Sequence, residues 1–298
     1  METPKPPSDP IRFLDHGFVR YITHMNTDED IVRCAKQSYD ALDQPLEEKD
    51  ARRLINYLME HSHTSPFEMC ELMVEIQAPL FVVQQLLRHR TASLNQLSMR
   101  YTNAPEETYL PPRARFAPNA TDNKQSTAET PLGASEAAAA QAAVKLAYDA
   151  AETSYTYMRA QGVSDEVARV VIPHGQYTRL VWKCDLHNVL RFLALRTHPH
   201  AQQEIRELAF CIEALVAELW PMTYAAWREF RKHSVTFSKT EMELLHMFLG
   251  AIEELSGADL VAIAHELGMP KDILGSKRRG KKFLDKLGID MDTKPDED

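Results

Sequence analysis

Residues 88–101 constrain the fold more than any other part of this 298-residue chain. Their sequence, RHRTASLNQLSMRY, contains three arginines, and residues 76–105 contain no Asp or Glu although the chain has a formal net charge of −9. Guanidinium groups match the geometry of phosphate and carboxylate, and they remain charged at every physiological pH. The chain must therefore fold so that an anion reaches this segment, and the sequence predicts a phosphate or nucleotide site.

A second basic segment, residues 167–203, supports the first. It carries one acid, Asp185, against five basic residues: Arg169, Arg179, Lys183, Arg191 and Arg196. Asp185 is placed to cap a helix over residues 185–196, in which His187 and Arg191 share one face. Arg196 lies about 140° around that helix from Arg191, because each residue advances the helix by about 100°. One helix can thus present cations in two directions, toward two ligands or two subunits.

Composition limits the classes of protein that remain. A broad basic surface is needed for general binding to nucleic acid or to anionic membranes, and the acidic net charge makes both improbable. The chain has no apolar run of about 20 residues that could span a membrane, and its first residues lack the apolar stretch of a signal peptide. The four cysteines are scattered and suggest neither disulfides nor a metal site. We therefore expect a cytoplasmic protein.

The apolar pattern predicts an α+β fold, dominated by helices, with a small antiparallel sheet. Alternating side chains predict strands over residues 18–24, 69–76 and 177–183. Helical periodicity and capping predict helices over residues 28–39, 47–61, 135–161, 165–172, 185–196 and 199–220. Pro79 is predicted to begin another helix, which places Gln85, Arg88 and His89 on one face.

Three regions follow from these patterns. Residues 1–14 are predicted to form a flexible N-terminus, residues 15–238 the main domain, and residues 239–298 a helical appendage to which we assign no role. The appendage combines helical patterns at residues 241–255 and 259–267 with a basic cluster at residues 277–282. Charge patterning favours a solvated turn for that cluster over a nucleic-acid contact.

The sequence gives less support to a metal site, a serine nucleophile or a glycine-rich phosphate loop. His61 and His63 could be zinc ligands, but no third ligand lies at a diagnostic spacing, so no metal site is predicted. Ser98 lies near His89 without a nucleophile elbow or an orienting acid, which favours a hydrogen-bond donor over a covalent catalyst. The sequence also has no glycine-rich phosphate loop. Arginine side chains must therefore provide the donors for any nucleotide.

The residues that carry these features resemble the signature of the flavin-dependent thymidylate synthases. In that signature, Arg88, His89 and Arg90 are followed after seven residues by Ser98. Four further motifs occur in the family order, and the resemblance extends over roughly residues 15–235. They are HTSPFE at residues 63–68, RVVIP at residues 169–173, DLHN through LR at residues 185–196, and HAQQEIR at residues 200–206.

The resemblance implies a thymidylate synthase-complementing type of fold, assembled as a homotetramer with shared active sites. It implies reductive methylation of dUMP to dTMP, with methylenetetrahydrofolate as carbon donor, FAD as hydride carrier and NADPH as reductant. The residues implied in FAD binding are His63, Ser65, Arg88, His89, Arg90, Gln96, Asp185, Leu186, His187 and Arg191. Those implied in dUMP binding are Gln85, Leu86, Leu87, Arg88, Gln96, Leu97, Ser98, Met99, Arg100, Arg169 and Arg196.

Arg196 is the implied catalytic residue, at the edge of the uracil ring. A cation there stabilises the negative charge that makes carbon 5 nucleophilic, as an oxyanion site does. The chain departs from the family at Gln96, where glutamate is common, and at Asp185 and Arg191, where asparagine is common. Met69 also replaces a frequent histidine. These departures motivate the alternative of a catalytically inactive homologue that binds the nucleotide and the flavin as a regulator.

Overall fold

The computed structural model describes residues 9–42, 44–103, 105–121 and 127–250, and the chain divides into two compact units, Met1–Ser234 and Val235–Asp298. The first unit is built on a five-stranded antiparallel sheet with the strand order β1-β2-β3-β5-β4. The strands are β1 (Ile11–Phe13), β2 (Gly17–Met25), β3 (Glu71–Pro79), β4 (Ser93–Gln96) and β5 (Tyr177–Asp185).

Strands β3 and β5 pair along their full length and form the centre of the sheet. In β3, Leu72, Val74 and Ile76 are completely buried, whereas Glu71, Met73 and Glu75 between and before them are only half-buried. This alternation is the period of two that a strand with one covered face requires. On the other face, Glu75 of β3 forms a 2.8 Å ion pair with Arg20 of β2, its partner in the register.

Helices cover the apolar face of the sheet. The α-helices of the first unit are α1 (Asp28–Lys36), α2 (Glu48–Glu60), α3 (Ser65–Glu68), α4 (Leu80–Leu86), α5 (Ala134–Ala160), α6 (Asp165–Ala168), α7 (Leu186–Arg196), α8 (Gln203–Leu219) and α9 (Pro221–Trp227). Helix α8 packs against β1, β2, α4, α7 and α9 and is therefore the central helix of the core. Its residues Ile205, Leu208, Ile212 and Leu215 are fully buried.

The predicted α+β class with a small antiparallel sheet is confirmed, and each predicted strand overlaps an observed one. Two short strands were not predicted. Strand β1 lies inside the segment 1–14, so the prediction of a flexible N-terminus is wrong for residues 11–13, which pair with β2. Strand β4 pairs with β5 at the opposite edge of the sheet.

Two predicted helix boundaries are also wrong. The helix that follows Pro79 ends at Leu86, so Arg88 and His89 lie in the turn after it and not on its face with Gln85. Helix α8 begins at Gln203, four residues after the Pro199 that was expected to start it. Both differences affect the site, because several of its polar residues lie in turns and not in helices.

The second unit is described only as far as Gly250. It contains one described helix, α10 (Lys239–Gly250), at the start of the predicted appendage. The predicted helical pattern at residues 259–267 and the basic cluster at residues 277–282 lie outside the described residues. Among the helices that are described, none is both long enough and apolar enough to cross a membrane.

A buried carboxylate connects α1 with α9, two helices that are far apart in the sequence of the first unit. Asp28, in the first turn of α1, accepts hydrogen bonds from the backbone N–H groups of Met222 (2.7 Å) and Thr223 (3.1 Å) at the start of α9. The Thr223 hydroxyl donates a third bond of 2.6 Å to the same carboxylate. Burial raises the pKa of Asp28, and these three hydrogen bonds oppose that shift. The carboxylate thus caps α9 although it belongs to α1.

Replacement of Thr223 by valine tests this contact. The substitution keeps the shape of the side chain but removes one donor from a buried carboxylate, so we expect it to lower the free energy of unfolding by about 1.5–3 kcal/mol. Thr153, whose hydroxyl bonds to an exposed turn of α5, is the matched control, and Thr153→Val should change stability by less than about 0.5 kcal/mol. Denaturant unfolding of both variants gives the comparison, and equal losses would contradict the capping role.

Candidate active site

The two basic segments meet at the edge of the sheet where β4 lies beside β5. The register pairs Ser93 with Lys183 and Gln96 with Leu180. Because β5 leads directly into α7, this pairing brings the turn before β4 next to α7. The Thr91 hydroxyl donates a 3.0 Å hydrogen bond to the Asn188 side chain of α7. The segment predicted from charge alone is therefore fixed against the helix that carries the second group of cations.

Arg196, the last residue of α7, makes the central contact of the site. Its Nε donates a 3.1 Å hydrogen bond to Nε2 of His89, and its Nη2 lies 3.5 Å from the backbone carbonyl oxygen of Gln85. Burial lowers the pKa of Arg196, and the nearby Arg88 lowers it further. The structure therefore brings Gln85, Arg88, His89 and Arg196 together, from two segments about a hundred residues apart.

His89 is the acceptor in this pair and must be neutral. Burial, followed by the charges of Arg196 and Arg191, lowers the pKa of His89 to about 4. Its ring also packs edge-on against Phe192, with 5.0 Å between the ring centroids. With Nε2 accepting from Arg196, the proton of the neutral imidazole is on Nδ1. At neutral pH the histidine therefore orients Arg196 without adding a positive charge.

Most of the cations in this region have no acidic partner. Among the described residues, no carboxylate lies within 4.0 Å of the guanidinium groups of Arg88, Arg90, Arg169, Arg191 or Arg196. Like charges that are partly removed from water repel one another unless an anion is supplied. This set of donors therefore fits anionic ligands. Because the guanidinium groups belong to separate segments, they can bind more than one such ligand.

A small cavity separates α7 from the turn after α2. Its volume is about 140 Å³, close to that of an apolar cavity known to hold one benzene molecule. The floor is apolar, with Phe67, Leu190 and Trp227, whereas His63, His187 and Arg191 lie among the polar residues that line it. Three residues with an implied role in flavin binding thus line one cavity, and its chemistry fits an aromatic group with a nearby negative charge.

Asp185 performs the capping role predicted for it. Its Oδ1 accepts from the backbone N–H of Asn188 at 2.9 Å, and its Oδ2 accepts from the Asn188 side-chain amide at 2.8 Å. The Asn188 side-chain oxygen in turn accepts from Thr91, and Arg191 Nη1 lies 3.4 Å from it. Both oxygens of Asp185 are therefore occupied in holding α7 and Asn188.

The end of the signature segment forms a separate group. After β4, Leu97 donates its backbone N–H to the carbonyl oxygen of Arg179 at 2.8 Å, and the chain then turns at Ser98. Arg100 follows that turn and forms a 3.3 Å ion pair with Glu166 of α6, in which both side chains are largely exposed. Arg169 lies three residues after Glu166 and is exposed. Ser98, Arg100 and Arg169 therefore lie near α6, apart from the contacts of Arg196.

The remaining predicted residues differ in what they offer a ligand. Gln96 ends β4, and its side-chain amide donates a 3.2 Å hydrogen bond to the Thr178 hydroxyl. Leu86, Met99 and Leu186 are buried in the protein, so only their backbone atoms could reach a ligand. Ser65, Leu87 and Arg90 are exposed, and among the described residues no side chain hydrogen-bonds to that of Ser65 or Arg90.

Sequence reasoning missed several polar residues of this region. Thr91 and Asn188 connect the two basic segments, and neither is distinguished by spacing or charge. Gln202 and the buried Glu204 contact Gln85 and Arg115, which lie far away in the chain. The motif HAQQEIR contains Gln202 and Glu204, so the resemblance was the one signal that could have pointed to them.

Comparisons with known proteins show the family to which this chain belongs. The family model described as thymidylate synthase complementing protein matches residues 20–222. A flavin-dependent thymidylate synthase of Ehrlichia ruminantium (strain Gardel) is 37% identical over 266 residues, which is 89% of this chain and 88% of that relative. Another, of Thermus thermophilus, is 41% identical over 239 residues, 80% of this chain and 86% of the relative.

A solved structure also resembles the fold. The crystal structure of the UMP/dUMP methylase PolB from Streptomyces cacaoi, bound with 5-Br dUMP, superposes with a TM-score of 0.67 at 31% identity. The alignment covers 76% of this chain and all of the PolB chain. The chain belongs to the thymidylate synthase complementing protein family.

The lowered pKa of His89 makes the stability of the fold depend on pH. Below its ordinary value of 6.5 the unfolded chain binds a proton at His89, whereas the folded site does not until about pH 4. His89 therefore contributes stability above about pH 6.5, and this contribution is lost as the pH falls toward 4. We expect His89→Gln to lower the slope of unfolding free energy against pH over this interval. An unchanged slope in the variant would contradict a neutral, buried imidazole.

Proposed function

We propose that this protein is a flavin-dependent thymidylate synthase. It converts dUMP to dTMP, with methylenetetrahydrofolate as carbon donor, FAD as cofactor and NADPH as reductant. The observation that carries the proposal is the contact of Arg196 with His89, placed among guanidinium groups that have no carboxylate partner in the described part of the chain. Membership of this family supports a pyrimidine nucleotide and a flavin dinucleotide as the two ligands of the cluster.

The flavin would lie along α7. His63, His187 and Arg191 line the cavity whose apolar floor suits part of an aromatic ring system. Arg88 and Arg90 are free to bind the pyrophosphate, and the remaining residues proposed to contact FAD are Ser65, His89, Gln96, Asp185 and the backbone of Leu186. FAD, when bound, supplies the hydride that reduces the transferred methylene group to a methyl group.

The nucleotide phosphate would be held at the turn after β4. Ser98 and Arg100 lie on this turn, and Arg169 follows α6. The contact of Arg100 with Glu166 is exposed and contributes little to stability. A phosphate carries more charge than one carboxylate and offers bidentate acceptors, so it replaces Glu166 at Arg100. Binding energy at the phosphate then fixes the uracil ring at the other end of the nucleotide.

A Glu166→Gln variant tests this competition. Removal of the carboxylate frees Arg100, so we expect the dissociation constant of dUMP to fall by about twofold to fivefold, the equivalent of one surface ion pair. Glu152→Gln removes an acid from the neighbouring exposed face of α5 and is the control for net charge. Calorimetric titration of the oxidised protein gives both constants, and weaker binding in Glu166→Gln would contradict a competing role.

The chemistry would take place beside Arg196. Carbon 5 of uracil becomes a nucleophile only when negative charge builds up on the ring, and a partly buried guanidinium stabilises that charge more than a solvated one does. Neutral His89 and the carbonyl of Gln85 hold Arg196 in one orientation. Overall, the methylene carbon would leave methylenetetrahydrofolate, giving tetrahydrofolate, and would bond to carbon 5 in place of the proton released there. The hydride equivalent would reduce that new substituent to a methyl group.

An enzyme thiolate is not available from the buried cysteines. Burial raises the pKa values of Cys70, Cys184 and Cys211 to about 12, so these thiols remain protonated at neutral pH. Ser98 lacks a base, since the nearest predicted histidine, His89, is bonded to Arg196 instead. Both observations favour activation of the uracil ring by charge, without a covalent adduct to the protein.

The same proposal includes assembly as a homotetramer with active sites shared between subunits. Helix α5 has 27 residues, of which Ala137 is the only buried one, and it exposes Leu146 and Tyr157. Beside the site, Val170 is 78% exposed and Leu195 is 64% exposed, next to Arg169 and Arg196 respectively. Apolar side chains at these positions fit a surface that further copies of the chain cover.

We also place the protein in the cytoplasm, as expected for a chain whose four cysteines are free thiols. The alternative of an inactive regulatory homologue gains no support from the relatives, which are named as synthases. The departures at Gln96, Asp185 and Arg191 leave the contact of Arg196 with His89 intact. Nucleic-acid binding requires a broad basic surface, which a chain of net charge −9 does not provide.

Replacement of Arg196 by alanine is the direct test of the proposed function. We expect the wild type to be yellow and to release hydrogen from carbon 5 of dUMP, and the variant to keep its flavin while turnover falls by about 10²–10³ or more, the cost of one preorganised donor. Arg228→Ala, which removes an exposed arginine from the short π-helical segment after α9, should leave turnover unchanged. A colourless protein that makes no dTMP would refute the proposal.

A further inference from the structure

The most completely paired buried charge near the site belongs to Glu204, in the first turn of α8. Glu204 is 2% exposed. Arg115 binds it in a bidentate manner, with 2.8 Å from Nε to Oε1 and 3.2 Å from Nη2 to Oε2. The Tyr109 hydroxyl donates to Oε1 at 3.2 Å. Burying an ion pair of this kind is costly unless its geometry is good, so its position calls for an explanation beyond stability.

Glu204 remains ionised in this environment. Burial by itself would raise the pKa of Glu204, but the hydrogen bonds and charge of Arg115, together with the donor from Gln202, lower it below its ordinary value. The start of α8 also favours a negative charge. An ionised carboxylate has no proton to donate, so every neighbour must present a donor to it.

A chain of amides leads from Glu204 to the proposed nucleotide site. The Gln202 amide nitrogen donates to Glu204 Oε2 at 2.8 Å. The side-chain oxygen of Gln202 accepts from the amide nitrogen of Gln85 at 2.7 Å. The backbone carbonyl oxygen of Gln85 lies 3.5 Å from Nη2 of Arg196. Two hydrogen bonds therefore connect the buried carboxylate to the residue beside Arg196.

The carboxylate sets the direction of both amides. Because Glu204 only accepts, the nitrogen of Gln202 must face it and the oxygen of Gln202 must face Gln85. That oxygen requires the nitrogen of Gln85, so the side-chain oxygen of Gln85 is left at the far end of the chain. Among the described residues no donor bonds to this oxygen. A neutral residue at position 204 would allow both amides to reverse.

We propose that Glu204 is a positioning residue that fixes the orientation of the Gln202 and Gln85 amides, so that Gln85 presents a hydrogen-bond acceptor to the substrate. This inference rests on the proposed function, which makes dUMP the ligand beside Arg196. The group recognised is an N–H or O–H donor of the nucleotide. A ligand with an acceptor at the same position would face the side-chain oxygen of Gln85 and could not hydrogen-bond to it. The chain of hydrogen bonds from Glu204 through Gln202 to Gln85, called the relay below, therefore favours a nucleotide that has a donor there and disfavours ligands that have an acceptor.

A double-mutant cycle tests the relay. We expect Glu204→Gln to weaken dUMP binding to the oxidised flavoprotein by about tenfold, the equivalent of one hydrogen bond, since the Gln85 amide is no longer fixed. Gln85→Met should weaken binding by a similar factor. The double variant should bind as Gln85→Met does, because groups that act through one another are not additive. Calorimetric titration with dUMP gives the constants.

Two further variants exclude simple destabilisation. Glu207→Gln removes an acid from the next turn of α8, outside the relay, and should leave dUMP binding within about twofold. Gln202→Met keeps Arg115 and Glu204 paired but breaks the chain of amides, so it should repeat the loss seen in Glu204→Gln even if that variant folds poorly. Additive losses in the cycle, or a Gln202→Met variant with normal affinity, would overturn the proposal.

The same titration separates this inference from the proposed function. A wild type that binds dUMP without forming dTMP would refute the synthase proposal, while its affinities would still measure the relay. A wild type that forms dTMP, with variants unchanged in affinity, would refute the relay alone. Absence of any dUMP binding by the wild type would overturn both.

Discussion

The hydrogen bond from Arg196 to His89 is the interaction on which the proposed site depends. It joins the end of α7 to the turn between α4 and β4, two segments that are distant in the chain. The bond forms only if His89 is neutral, and burial of its ring, together with the charges of Arg196 and Arg191, lowers the pKa of His89 enough to meet that condition. Burial and the neighbouring arginines therefore keep His89 uncharged, so that it adds no further positive charge to the cluster.

The distribution of charge around this bond explains why the site fits anions. An acidic protein normally pairs its arginines with carboxylates, as Arg20 is paired with Glu75 on the sheet. Around Arg196 the described part of the chain provides no such partner, and the stabilising anion must come from the ligands. Where a carboxylate is buried nearby, at Glu204, it is fully engaged by Arg115 and Gln202 and does not reach the open cations. The buried acid therefore does not neutralise the cations that the anionic ligands would bind.

The elements that could be predicted from the sequence are those with a regular pattern of apolar residues or a recognisable capping residue. The alternation of Leu72, Val74 and Ile76 located β3, and Asp185 located the start of α7. Strand β4 was missed because Ser93–Gln96 is polar, exposed and defined by pairing with β5 alone. Arg88 and Arg196, which the structure brings together, could be singled out beforehand because arginines in acid-poor segments are visible in the sequence. Gln202, Glu204 and Arg115 act through contacts between distant residues, and no local pattern records a partner 89 positions away.

The capping of α9 by Asp28 has a consequence for how positions 28 and 223 can evolve. Asp28 and Thr223 are 195 positions apart, yet each provides a buried hydrogen-bond partner for the other. A change at either position leaves a buried group without that partner, so the two sites can be replaced only together or through an intermediate of reduced stability. Across relatives we expect positions 28 and 223 to change as a pair. The starts of α1 and α9 would then evolve as one element, however the residues between them vary.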